Sequence, residues 1–432
     1  MKTGTSVVAA VAVALVVGIA IGNRSAPAEG QGPAPDARFA AVPTEKGGQD
    51  PFGAYEIVSD WPKPISLQAG LEKWTWGAGE GVFAETPDRV FILQRGLLPK
   101  LERPKAIKLP QLGPNIEFPI GRLPWRDATS TSPPGAMEVN GKPGDDSDVG
   151  VNGVDFNWSH IITVADAQGN LVEDWTQWDT MFRRPHAIYI SPYDPDKRVF
   201  IVDDYRQAVF IFPHDGKQLL KTLGEPNVHA ADPGHFFRPT YIAWDPDGSY
   251  FIADGYANTR VVKYDKDDKY VMAWGEKGEG TAQKPDTRPG YFNSVHGIAV
   301  DPIAHEVFVN DRTNRRIQVF DESGKFLRMW SIGAPPSDVH LIIMDGQRNI
   351  WAADRGTSKM VKYDRDGNLL YTWGTWGDFP GGFWGVHGLS VDSEGNFYVA
   401  EVDSGRAQKY RPRPGANPVF LIAKPETPTG TN

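Results

Sequence analysis

From about Trp74 onward the chain is a succession of short runs in which apolar and polar residues alternate. Turn residues separate the runs, and the whole pattern recurs about every 45–56 residues. The clearest copy reads His296-Gly-Ile-Ala-Val-Asp-Pro, then Val307-Phe-Val-Asn-Asp-Arg, then Arg316-Ile-Gln-Val-Phe-Asp, then Phe326-Leu-Arg-Met-Trp. Period-two alternation marks a strand with one buried face, and Asp301-Pro302 and Ser323-Gly324 supply turns between strands. Four short strands per repeat make one blade of a β-propeller. Further copies start at His186, Thr240, His340 and His387. Each carries a strand that ends on an acid: Asp203-Asp204, Asp254, Asp354 and Glu401.

A first copy begins Gly81-Val-Phe-Ala-Glu-Thr and continues Arg89-Val-Phe-Ile-Leu-Gln-Arg-Gly. Its third and fourth strands (160–166 and 171–177) follow only after an insertion over residues 97–157. Six copies predict an all-β, six-bladed β-propeller over residues 66–425, with 426–432 as a tail. Lys73-Trp-Thr-Trp-Gly matches the fourth-strand ending Tyr371-Thr-Trp-Gly but precedes the first blade. It is therefore expected to complete the last blade and close the ring, removing open edges, with 418–423 adding a further strand there. The Trp-Gly endings at Trp274 and Trp373 read as packing between blades.

The N-terminus follows a different pattern. Residues 7–21 are an unbroken run of Val, Ala, Leu, Gly and Ile behind Lys2. As a helix the run spans only about 22 Å, short of the ~30 Å hydrocarbon core of a bilayer. With Ala26-Pro27-Ala28 as a cleavage site, residues 1–28 read as a secretory signal peptide, and the body is exported to the periplasm or the extracellular space. The alternative is a membrane anchor through residues 7–21. Residues 29–65, rich in Pro, Gly and Ala, read as a tether.

Charge and composition narrow the partners. With 45 Lys+Arg against 54 Asp+Glu the net charge is −9; cleavage would take Lys2 and Arg24 and no acid, giving −11. That balance, without a basic run, excludes nucleic acid as a natural partner. After cleavage no stable membrane insertion is expected, and the chain is expected to be a monomer. Cysteine is absent, which removes disulfides, thiolate metal sites and a cysteine nucleophile.

The repeat also predicts where chemistry would sit. The first strand of every blade lines the central channel, so positions of one repeat phase converge in space. His186, His296, His340 and His387 share that phase, four of the chain's nine histidines. Converging imidazoles without cysteine suit Zn²⁺ or a similar borderline metal; the plainer reading is histidines stacked in the channel and hydrogen-bonded to backbone and water. Imidazole must be neutral to bind, so occupancy is expected to fall below about pH 6. The second-strand ends face the same mouth with Gln94-Arg95-Gly96, Asp204-Tyr205-Arg206, Asp254-Gly255-Tyr256, Asp311-Arg312 and Asp354-Arg355. Their acids read as turn and strand-end hydrogen-bond acceptors. Their arginines would attract a substrate carboxylate. Tyr256 could act as a base if a metal and an arginine stabilised its phenolate.

Several stretches resemble peptidyl-α-hydroxyglycine α-amidating lyases, six-bladed propellers of NHL-type repeats. They are Phe237-Arg-Pro-Thr-Tyr-Ile-Ala-Trp-Asp-Pro, Ala253-Asp-Gly-Tyr-Ala-Asn-Thr-Arg-Val-Val-Lys-Tyr, Ala273-Trp-Gly-Glu-Lys-Gly, Pro185-His-Ala-Ile, Val295-His-Gly-Ile, Asn310-Asp-Arg-Thr-Asn-Arg-Arg-Ile-Gln and Phe91-Ile-Leu-Gln-Arg-Gly. The resemblance implies a zinc held by His186, His296 and His387, a catalytic tyrosine at Tyr256, and substrate-contacting arginines at Arg95 and Arg312. It implies cleavage of the N–C bond of a C-terminal α-hydroxyglycine into a peptide amide and glyoxylate. The family's Met-Pro-His-Asp is here Gly385-Val386-His387-Gly388. A structural calcium site is thus left without its Asp, and the substrate pocket without its Met. His340 has no counterpart in the family and stands as a further candidate ligand.

The leading expectation is a secreted, zinc-dependent carbon–nitrogen lyase acting on a carboxylate-bearing small molecule or peptide. The alternative is a non-catalytic NHL-repeat propeller that binds a peptide or glycan at the channel mouth. A calcium-dependent lactonase ranks last, because Glu85, Asp203 and Asn310 share no phase.

Overall fold

A computed structural model describes residues 50–100, 106–108, 117–119, 142 and 150–424. The expected signal peptide, the membrane-anchor alternative, the start of the tether, most of the 97–157 insertion and the 426–432 tail lie outside the described residues. Among the described residues no helix is long and apolar enough to cross a membrane.

Six four-stranded antiparallel sheets form the six blades of a β-propeller. The second blade shows the pattern, pairing Pro185–Ile190, Val199–Asp203, Ala208–Phe212 and Lys221–Leu223 in sequence order. Its inner strands are buried on both faces, while the outer strand is half-exposed. This gradient explains why the inner strands read as near-continuous apolar runs and the outer ones as alternating. The first blade takes Gly79–Thr86 and Arg89–Gln94, then Ile162–Ala165 and Leu171–Asp174 from beyond the insertion, as expected.

Ring closure differs from the expectation. Trp74–Trp76 pairs with Leu97–Pro99 at the start of the insertion, not with the last blade. The closing strand is Tyr55–Val58, from the segment read as tether, and it runs antiparallel to Ala407–Pro412. Packing selects it. The Tyr55 ring is fully buried against Trp373 and Phe397, with 5.6 Å between centroids in each pair, and its hydroxyl accepts the Ile422 N–H at 2.8 Å. Gly53 has a φ of +61°, and a Cβ there would meet the Trp373 ring at 2.6 Å, so the turn into the strand requires glycine. Residues 418–423 add no strand; Pro418–Phe420 is a 3₁₀ turn that seats Phe420 on Tyr371. The Trp-Gly tryptophans do bridge blades: Trp274 packs on Phe320 of the next blade, as Trp373 does on Tyr55 and Phe397 of the last.

Candidate metal centre and channel mouth

Every blade begins its first strand with the same irregularity. Pairing to the second strand shifts register immediately after Gly79, Pro185, Pro239, Val295, Val339 and Val386. A bulge re-aims the residue that follows it. Those six residues are Glu80, His186, Thr240, His296, His340 and His387, and all are buried. The histidine phase is therefore a ring of six positions, and Glu80 holds the first blade's place in it.

His186, His296 and His387 each offer a ring nitrogen within 4.8 Å of the others. Their ring centroids are 4.5–5.5 Å apart. Nδ1 of His296 bonds the His340 carbonyl at 2.5 Å and Nδ1 of His387 the Glu80 carbonyl at 2.8 Å. These bonds fix the tautomers and leave the Nε2 lone pair of each ring to accept a hydrogen bond or to bind a metal. Nδ1 of His186 is buried without a hydrogen-bond partner. Burial first, then the positive charges around them, pushes all three imidazoles well below their usual pKa. Three neutral, preoriented imidazoles, one with an orphaned nitrogen, fit a divalent cation.

His340 falls outside this group of three. Its carbonyl orients His296, and its Nε2 lies 3.3 Å from Asp338 Oδ2. Burial and the charge of Arg312 bring it down to about 4.

The Tyr256 hydroxyl is 2.6 Å from His296 Nε2 and 3.3 Å from His186 Nε2. Arg238 stacks on the Tyr256 ring at 4.1 Å. The charges of Arg312, Arg184 and Arg238 do favour a phenolate, but burial outweighs them and raises the Tyr256 pKa above its usual value. Burial thus favours the phenol without a metal, whereas the phenolate was expected only with a metal and an arginine beside it.

The arginines are braced. Arg312 forks onto Asp338 at 2.8 and 2.9 Å, and Arg355 onto Asp403 at 2.8 and 2.6 Å. Arg95 is 4% exposed, with Nε 2.9 Å from Glu80 Oε1. A cleft of about 440 Å³ opens beside this mouth, where Asp338, Arg355 and Asp403 face Trp376, Trp384 and Gly385.

The strand-end acids do what their turn position suggests. Asp203 accepts the backbone N–H groups of Arg183, Arg184, Tyr205 and Arg206. Asp254 and Asp311 each hold a loop N–H together with Arg260 or Arg316.

Arg184, Arg238, Asp338, Glu80 and Tyr241, whose hydroxyl donates to the His387 carbonyl and whose ring packs on His186 and His296, join the site without having been singled out in the sequence. The first three share one signal: each is the residue just before a first strand, in line with Pro185, Pro239 and Val339. The histidines off the phase serve at the surface or in turns. His214 meets Glu85 and Arg89, and His229 stacks on Phe237. His305 approaches Asp245 and Glu322, a second group of potential ligands already shared with Lys263.

No protein-family model matches the chain. Peptidylglycine alpha-amidating monooxygenase of Rattus norvegicus is 35% identical over 147 residues, 34% of this chain and 14% of that protein. Peptidyl-alpha-hydroxyglycine alpha-amidating lyase 1 of Drosophila melanogaster is 28% identical over 298 residues, 62% of this chain and 52% of that protein. NHL repeat-containing protein 3 of Mus musculus is 29% identical over 269 residues, covering 56% of this chain and 71% of that protein. The matches thus span a small part of the rat enzyme and about half of the fly lyase. Among solved structures, a streptogramin B lyase is 13% identical, with a TM-score of 0.44 over 78% of this chain and 94% of that one. The curated relatives are amidating enzymes and NHL-repeat proteins.

Proposed function

We propose that this chain is an exported, zinc-dependent lyase that cleaves the N–C bond of a peptidyl-α-hydroxyglycine-like carbinolamide, releasing an amide and glyoxylate. The observation that carries the reading is the Tyr256 hydroxyl bridging two members of the buried three-histidine group. The relatives named as amidating lyases point the same way.

His186, His296 and His387 would hold the metal, with His340 and Glu80 fixing two of the rings through their carbonyls. A bound Zn²⁺ supplies Lewis acidity that lowers the pKa of an adjacent hydroxyl. Tyr256, acting as phenolate beside the positive charges of Arg312, Arg184 and Arg238, would take the proton of the substrate hydroxyl and return it to the amide nitrogen as that nitrogen leaves and the oxyanion collapses to the aldehyde of glyoxylate. Arg312 and Arg95 place positive charge where the carboxylate and the oxyanion stand; one such electrostatic donor is typically worth about 3–4 kcal/mol in the transition state. The acyl end of the substrate would leave the mouth past Trp376 and Trp384.

The test is glyoxylate release from a peptide ending in α-hydroxyglycine, or from a small α-hydroxy acylglycine. Release above buffer is expected. Protein with a full complement of zinc and no release would remove the lyase and leave the non-catalytic binding propeller.

A further inference from the structure

Glu80 stands apart among the buried titratable groups of the channel; burial pushes its carboxyl up to about 7 against the pull of Arg95 and Arg184. It is fully buried, and neither carboxylate oxygen has a hydrogen-bond partner. Its nearest neighbours are Arg95, whose Nε is 2.9 Å from Oε1, and the neutral His387, whose Nδ1 is 3.4 Å from Oε2; Arg184 adds positive charge, and Asp204 and Asp403 negative charge. The Glu80 carbonyl also takes the His387 Nδ1 hydrogen bond at 2.8 Å. One residue therefore addresses the non-ligating side of a candidate metal ligand through both its backbone and its side chain. The bulge after Gly79 directs it there, as the same bulge directs the three histidines.

Isolated carboxylates are not buried without a partner, because desolvation costs several kcal/mol per ion. Arg95 alone could compensate Glu80, yet that would not account for its place in the ring. The three candidate ligands are neutral, and a dication among them would face Arg95, Arg184 and Arg312. Glu80 is the carboxylate the ring itself contributes. It lies outside the set of three converging donors, so it is not a ligand of that set.

We infer that Glu80 is a positioning residue of the metal centre: its backbone carbonyl holds His387 by Nδ1, and its carboxylate sets negative charge beside that ring and Arg95, so that the three histidines can keep a divalent cation. The inference rests on the metal-binding part of the proposed function and not on the reaction. A carboxylate behind a ligating imidazole orients the ring and raises its basicity; losing such a partner typically weakens metal binding about 10–100-fold.

The experiment measures Zn²⁺ affinity of the full chain by competition with a chromophoric chelator, for wild type, Glu80→Gln and Glu80→Asp. Gln keeps the backbone carbonyl and the side-chain shape and removes only the charge. Glu80→Gln should bind Zn²⁺ about 10–100-fold more weakly, and Glu80→Asp by less. The visible absorption of the Co²⁺-loaded protein should shift in Glu80→Gln, a change that loss of stability alone would not produce. If Glu80→Gln does not fold, Glu80→Asp carries the test, and wild-type affinity in it overturns the inference. Wild-type affinity and an unshifted Co²⁺ spectrum in Glu80→Gln also overturn it, leaving the three-histidine centre standing. A wild-type chain that binds no Zn²⁺ overturns both. Tight zinc without glyoxylate release removes the lyase reading while the Glu80 effect on affinity stands.

Discussion

The Tyr256 hydroxyl sits 2.6 Å from Nε2 of His296, the nitrogen left free when Nδ1 bonds the His340 carbonyl. A phenol held against a candidate ligand atom is placed to exchange protons with whatever is bound there. Tyr256→Phe removes one oxygen and no packing. A general base contributes typically ~10²–10⁴-fold, so kcat for glyoxylate release should fall by that order while zinc content stays unchanged. Zinc lost in step with activity would make Tyr256 a ligand instead of a base.

Metal content follows from the three-histidine group. Wild-type protein is expected to carry about one Zn²⁺ per chain. His186→Ala and His296→Ala should each lose it on dialysis, as measured by elemental analysis. Unchanged zinc in both variants would reduce the histidine phase to channel packing.

Acid should act on the metal-free protein through these same rings. A histidine kept neutral by burial takes up its proton on unfolding near pH 6.5, so its burial disfavours the fold below that pH. Each such ring subtracts up to about 1.4 kcal/mol of stability per pH unit, from about 6.5 down to its folded pKa. His340 stops contributing near 4, and the other three lie well below their usual value. Urea midpoints of metal-free protein should therefore drop between pH 7 and pH 5; a flat profile would mean the rings are protonated in the fold. The same lowered values protect the centre against competing protons. Zinc should persist below pH 6, the point at which an ordinary imidazole would release it.

Closure depends on Tyr55–Val58. Tyr55→Ala should cost about 3–5 kcal/mol, the usual loss for a buried aromatic. Chain beginning at residue 60 should melt well below chain beginning at residue 50, because it bares the edge of Ala407–Pro412. Equal melting temperatures would mean that the last blade is stable with three strands.

The fold was legible because a propeller repeats its pattern six times, so a weak four-strand signal reinforces itself. The histidines were legible for the same reason, since phase converts sequence distance into proximity. Tyr55–Val58 was hidden by its context: four residues of strand pattern among Pro and Gly have no neighbouring strand to confirm them, whereas Trp74–Trp76 imitates a true blade ending. Glu80 escaped because the first copy was aligned from Gly81, one residue beyond the bulge that defines the phase. The arginines near Tyr256 were readable as charge, but burial was not, and burial decides that the metal-free tyrosine keeps its proton.

Glu56 pairs with Arg411 across 355 residues of chain. During synthesis the segment that closes the propeller emerges among the first and must wait for nearly all the others. Until the C-terminal strand arrives, Tyr55–Val58 is a loose ribbon seeking an edge, and the last blade of a neighbouring copy offers one of identical shape. At high concentration the ribbon can clasp that neighbour, so chain-exchanged pairs are the misassembly this architecture invites.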